Sequence, residues 1–207
     1  MASLTDQYPV PAQALEIEEE IKHSRFISLL FHCPSEQVFK SELAKIKLNY
    51  PGASHYCYAF VLAEPWNDVA TGCSDDGEPS GSAGRPILAC LVGSGIGEIA
   101  AVVIRYYGGT KLGVGGLVRA YSSGVKQGVS QLETQVKQIR FSGRLICEYH
   151  QLKDVEHAIK LADGIVLETS FTDKVRIEFA IPKRLQSKLT ELLATMSQGQ
   201  LVAEFPL

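Results

Sequence analysis

Glycine is concentrated in one part of this chain of 207 residues: 14 of its 18 glycines lie between Gly72 and Gly128. Glycine loses the most freedom in regular structure and is useful where backbone takes positive φ or comes close to something else. This region must therefore hold tight turns or close approaches. It includes residues 63–84, which follow neither a helical nor a strand period and carry Pro65, Gly72, Gly77, Pro79, Gly81 and Gly84. A structureless loop of that length in a compact domain is uncommon and is usually either functional or disordered.

The flanking periods are clear. Residues 14–21 alternate apolar and acidic and residues 26–33 follow a polar turn at His23 to Arg25, which predicts an opening hairpin. Pro34-Ser35 starts a helix with Val38, Phe39, Leu43 and Ile46 at helical spacing, and Tyr50-Pro51-Gly52 stops it. Residues 54–62 suit a central strand. Arg85-Pro86 opens a short helix closed by Gly93-Ser94-Gly95, and IAAVVI at 99–104 suits a strand covered on both faces. YYGGTKLGVGG turns into a helix from about Leu117, with Leu117, Tyr121, Val125 and Leu132 as its apolar stripe. Residues 133–138 suggest a linker. Beyond it come a strand (139–148), a helix (151–162), a hairpin (165–171 and 175–181), a helix from Pro182 and a last strand, LVAEF. That β-α-β-β-α-β order is the split βαβ, ferredoxin-like arrangement. The expectation is an α+β protein of two domains, 1–137 and 138–207.

Composition narrows the function classes. Hydrophobic residues make up 45% and charged residues 21%, which excludes general disorder. No apolar run approaches the roughly 20 residues needed to span a bilayer, and the N-terminal stretch lacks the basic start and apolar core of a signal peptide. Five cysteines without a CxxC pair suggest reduced thiols. A soluble cytoplasmic protein with no membrane contact is expected. Its net charge of −3 argues against coating nucleic acid through overall charge, so any such contact must be local.

The charge is indeed segregated. Residues 64–78 hold Glu64, Asp68, Asp75, Asp76 and Glu78 with no Lys or Arg. These carboxylates suit a divalent cation, acid/base catalysis, or a solvated turn built on Asp-Gly and Glu-Pro. Between Gly81 and Lys126, five cations (Arg85, Arg105, Lys111, Arg119 and Lys126) face the single acid Glu98, a local net of +4. Gly108, Gly109, Gly113, Gly115 and Gly116 separate a buried strand from a helix, where free backbone N–H groups and the helix dipole hold anions. Arg119 and Lys126, seven apart, share a helical face, and Tyr106 and Tyr107 offer a stacking platform for bases. The alternative is that these glycines only permit close packing. Neither a Walker A pattern nor a strict GxGxxG is present. His55 and Cys57 share one face of their strand, which suits a nucleophile with its base, two metal ligands, or a buried thiol beside a hydrogen-bonded histidine.

HYCYAF (55–60), SDDGEPSGSAGRP (74–86) and VIRYYGGTKLGVGGLVRAY (103–121), in this order, resemble the IMPACT family. The resemblance implies a first domain with the fold of the second domain of a small-subunit ribosomal protein, and a second domain resembling the last domain of elongation factor G. It carries over Asp75, Asp76, Gly77, Glu78, Pro79, Gly81 and Arg85 as one loop. It carries over Arg105, Tyr106, Gly108, Gly109, Leu112, Gly113, Gly115, Gly116, Arg119 and Tyr121 as the other, with His55 joining them. It brings no catalytic mechanism. Eukaryotic relatives act in translational control by binding a partner of the kinase that senses amino-acid starvation, a role that depends on an additional N-terminal domain.

The expected function is that of a non-enzymatic, translation-associated factor that binds RNA or the ribosome through the two loops, with no metal or cofactor. The binding residues expected are those of the two loops other than Leu112 and Tyr121, together with His55, Tyr107 and Lys111. Two alternatives stand beside it: an enzyme acting on a phosphorylated small molecule, and a module whose acidic loop meets a basic protein partner of the translation machinery.

Overall fold

A computed structural model describes residues 6–206; residues 1–5 and 207, which the two expected domain spans include, lie outside the described residues. The chain is α+β and forms two compact units, Tyr8–Lys137 and a second that takes in residues from Gln138 onward together with Asp6 and Gln7. Asp6 joins the second unit because its carbonyl accepts the Ile139 N–H at 2.6 Å and its carboxylate accepts the Arg184 N–H at 2.8 Å.

In the first unit, β2 (Leu15–Ile21), β3 (Ser24–His32), β4 (His55–Val61), β5 (Thr71–Ser74) and β6 (Ile99–Tyr106) form a sheet in the order β2-β3-β6-β4-β5. Each pairing is antiparallel. The hairpin turns on Lys22 and His23, at φ 49° and 67°, one residue earlier than expected. Positive φ at both central positions is the type I′ geometry that follows the twist of the strands.

Helices cover both faces. Ile99, Ala101 and Val103 of β6 pack against α2 (Gly84–Ser94) and α3 (Val114–Gln131), while Ala100, Val102 and Ile104 pack with α1 (Glu36–Asn49). All six are fully buried, which is why this strand is continuously apolar where β2 alternates. α3 begins at Val114, earlier than the apolar stripe indicates, because glycines fill its first turn. Two further segments differ from expectation. The loop 63–84 contains β5, and the expected linker is a strand, β7 (Thr134–Gln138), paired with β1 (Gln7–Pro11).

In the second unit β8 (Phe141–Cys147), α4 (Leu152–Leu161), β9 (Ile165–Phe171), β10 (Val175–Ile181) and α5 (Gln186–Ser197) follow in order, with the sheet arranged β8-β10-β9. Val155, Ile159, Leu189 and Leu193 from the helices bury against Leu145, Ile177 and Phe179. The expected last strand narrows to one antiparallel bridge, Arg144 with Glu204. The Leu201 N–H nearby is already taken by Ser197 Oγ at 2.8 Å. No helix among the described residues is long and apolar enough to cross a membrane.

Candidate functional site

The alternation that divides β6 between two helical layers also sorts the residues after it. Arg105 continues the α2/α3 face and Tyr106 the opposite one. Register places Arg105 directly across from both Phe26 on β3 and His55 on β4, a row of three side chains on one face of the sheet. The guanidinium carbon lies 5.5 Å from the Phe26 ring centre and 5.3 Å from that of Tyr107.

Arg105 and Glu78 are both buried, at 5% and 9% exposure. Glu78 Oε1 accepts from Arg105 Nη1 at 2.5 Å and from the Tyr121 hydroxyl at 2.8 Å. Removing one partner of such a buried pair leaves an uncompensated charge, worth about 3–5 kcal/mol. His55 Nδ1 donates to the Asp76 carbonyl at 2.8 Å, and since a carbonyl only accepts, Nδ1 carries the proton. Its Nε2 lies 3.9 Å from Glu78 Oε1.

The two aspartates of the acidic loop are engaged elsewhere. Asp75 Oδ1 accepts the N–H groups of Ala83 and Gly84 at 3.0 and 2.8 Å, and Oδ2 that of Gly81 at 2.8 Å. It thereby caps α2, whose own N-cap, Ala83, supplies no side-chain bond. Burial pulls the Asp75 carboxyl up, but these three N–H groups and the charge of Arg85 outweigh it and hold it below its usual range. Asp76, at φ 43°, accepts the Tyr56 N–H on Oδ2 at 2.7 Å. Gly77 and Gly81 take positive φ in the same loop. Among the described residues no three of His, Cys, Asp and Glu are grouped to hold a metal ion. Cys57 donates to the Asp75 carbonyl at 2.9 Å, and burial pushes its thiol up to about 12, so it stays protonated at neutral pH. Burial likewise raises Tyr121, with further help from Cys57 and Glu78.

Glu78 is thus the acid that the loop delivers to a cavity of about 430 Å³. His55, Glu78 and Arg105 line it together with Leu112 and Leu117, and its more exposed residues are Pro79, Tyr107, Lys111, Gly113 and Val114. Gly113, at φ 74°, is the N-cap of α3, with no side-chain cap and no acid in the first turn. The Leu117 N–H makes the first helical bond, to the Gly113 carbonyl, so the N–H groups of Val114, Gly115 and Gly116 precede the ladder. Among the described residues Lys111 makes no ion pair.

Other expected residues lie elsewhere. Tyr106 is packed with the α1 layer, its hydroxyl donating to the Pro51 carbonyl at 3.3 Å and Arg25 lying over its ring. Gly108 serves a chain crossing: a Cβ there would lie 1.9 Å from the His23 carbonyl oxygen, and its N–H donates to Ser24 Oγ at 3.1 Å. Gly109 takes a positive φ in the same turn. Arg119 donates to the Gly115 carbonyl of its own helix at 3.2 Å and lines an adjoining groove with Lys22, Gly116 and Ser123, which shares Leu112 with the cavity. Arg85 and Gly81 line another, between α2 and α3, with Lys126. Arg119 and Lys126 therefore line different grooves although they are seven residues apart. No sequence signal marks Phe26 as a site residue; its place beside Arg105 depends on β6 lying between β3 and β4, which no local pattern encodes.

Residues 22–129 match the Impact N-terminal domain and residues 145–200 a domain of unknown function (DUF1949). The chain is 42% identical over 196 residues to "IMPACT family member YigZ" of Escherichia coli (strain K12), covering 95% of this chain and 96% of that one. It is 41% identical over 198 residues to an "IMPACT family member" of Haemophilus influenzae, covering 96% of each. To "IMPACT family member YvyE" of Bacillus subtilis it is 32% identical over 188 residues, covering 91% and 86%. A solved structure described as "Crystal structure of an hypothetical protein" superposes with a TM-score of 0.78 at 40% identity, covering 99% of each chain. With both units matched and the relatives aligned over nearly their whole length, the chain belongs to the IMPACT family.

Proposed function

We propose that this protein is a non-enzymatic, translation-associated factor of the cytoplasm that binds single-stranded RNA, free or on the ribosome, at the cavity where α3 begins. The observation that carries this is the uncapped N-terminus of α3, opening on the same cavity as the unpaired cation Lys111 and the ring of Tyr107. Backbone N–H groups and the positive end of a helix dipole favour a phosphate, a free lysine adds charge without a competing partner, and a tyrosine that is 49% exposed can stack on a base. Arg105, by contrast, is neutralised by Glu78, so its role here is to hold the cavity in shape. The first unit is assigned the fold of the second domain of a small-subunit ribosomal protein. The second is assigned the ferredoxin-like fold seen in the last domain of elongation factor G, its strand order supporting that assignment. Both likenesses agree with a place beside RNA.

A salt titration tests the proposal. Affinity for a single-stranded oligouridylate should fall with log salt at a slope of about −0.7 per phosphate neutralised. Lys111→Ala should weaken binding and make that slope shallower by about one phosphate's worth. No binding at about 50 mM salt, or a slope unchanged by the substitution, refutes it.

An enzyme acting on a phosphorylated small molecule is the alternative, and one observation favours it: His55 Nε2 and Glu78 stand 3.9 Å apart beside the anion-binding helix end. The engagement of Asp75 and Asp76 with backbone N–H groups weighs against it.

A further inference from the structure

The hydrogen bonds to Glu78 are lopsided. Arg105 and Tyr121 both donate to Oε1, and among the described residues nothing donates to Oε2. The Glu78 side chain is only 4% exposed, yet it lines the cavity with Lys111, Gly113 and Tyr107. Oε2 is not one of the fully buried polar atoms left without a partner among the described residues, so it stays reachable and can accept from a ligand hydroxyl or N–H. A phosphodiester alone cannot donate, since its oxygens carry no proton. The cavity therefore calls for a ligand that accepts at the helix end and donates to Glu78.

A nucleotide has three parts to place. Its phosphate suits the N–H groups of Val114, Gly115 and Gly116 with Lys111, and its base suits the exposed ring of Tyr107. The sugar joins the two and is left to the buried part of the cavity, which at about 430 Å³ is near the small end of ligand pockets. A ribose hydroxyl is a donor; deoxyribose has one fewer, and within a DNA chain it has none. Carboxylates recognise ribose hydroxyls in this way in dinucleotide-binding folds, and the 2′-hydroxyl is the group that separates RNA from DNA.

We infer that Glu78 is a specificity-determining residue, accepting a ribose 2′-hydroxyl on Oε2 and so selecting ribonucleotides over deoxyribonucleotides. The inference rests on the proposal that this cavity binds RNA. The same ribonucleotide unit occurs in a free nucleotide, and the experiment separates the two sources.

The experiment changes the ligand first, so that folding is not at issue. Anisotropy is measured for the wild-type protein with a labelled oligouridylate of about ten nucleotides and with the deoxyuridine oligomer of the same sequence. Losing a hydrogen bond to a charged acceptor should weaken the deoxy ligand by about tenfold or more. Glu78→Gln keeps an oxygen for Arg105 and Tyr121 but places an amide donor where Oε2 was, and should bring the two affinities together. Equal wild-type affinities for the two oligomers would overturn the inference while leaving RNA binding intact. Binding of neither at low salt would overturn both. Competition by free uridine monophosphate at the oligomer's own concentration would keep the role of Glu78 but assign the site to a small ribonucleotide.

Discussion

Glu78 and Glu98 are two buried carboxylates of the same unit, satisfied in opposite ways. Glu98, at 5% exposure, fills both oxygens: Oε1 accepts from the Tyr8 hydroxyl and Lys137, and Oε2 from His32 at 2.7 Å. Its donors come from β1, β7 and β3, so it fastens the β1–β7 ribbon to the sheet. Glu78 has both its donors on one oxygen and lines a cavity. Burial and charge alone therefore do not mark a binding site; the proposed one rests on an open acceptor, an uncapped helix end and Lys111, which makes no ion pair among the described residues.

The largest expected effect would break this comparison at the level of stability. Glu78→Ala leaves Arg105 charged and buried, and should lower unfolding free energy by about 3–5 kcal/mol. Glu98→Ala should cost less, about 1–3 kcal/mol, because the side chains of Lys137 and His32 are 45% and 41% exposed and can turn to water. Urea midpoints of the two variants rank them; a costlier Glu98→Ala would reverse the assignment. Gly108→Ala comes next, with a loss of about 1–3 kcal/mol, because the new methyl group meets the His23 carbonyl and the backbone must shift.

Acid acts on Glu98. Burial raises the Glu98 carboxyl, but hydrogen bonds from Lys137, His32 and Tyr8 outweigh it and leave it below the usual 4.5. A carboxyl lowered on folding binds fewer protons in the native state than in the unfolded one. Its stabilisation is complete above the unfolded value and is lost as pH falls through the folded one. Stability should therefore drop below about pH 4.5, and Glu98→Gln should flatten that drop, measured as the urea midpoint against pH. The smallest effect is expected for Arg119→Ala. Its guanidinium is engaged with the Gly115 carbonyl in an adjoining groove that shares Leu112 with the cavity, so affinity for oligouridylate should fall less than with Lys111→Ala.

Most of the fold is legible in the chain because its periods are. The apolar run at 99–104 indicates a strand covered on both faces, and β6 is buried against α1 on one side and α2 and α3 on the other. What the periods miss is pairing that depends on distant partners: β1 with β7, and the short β5 inside the glycine-rich loop. At the candidate site the charge segregation indicates an acidic and a basic loop. It does not show that Asp75 and Asp76 face backbone N–H groups while Glu78 alone meets Arg105, because that depends on turn geometry at Asp76 and Gly77. Adjacent Tyr106 and Tyr107 look equivalent in the sequence, and strand alternation puts them on opposite faces.

In the proposed reading RNA enters at the start of α3, over Glu78, while Glu98 is structural. Amide chemical-shift mapping of the labelled protein with oligouridylate tests it most directly. Shifts are expected at Tyr107, Lys111 and Gly113–Gly116, and none at Tyr8, His32 or Glu98. Shifts gathered around Glu98, or none at the start of α3 when binding is saturated, would contradict it.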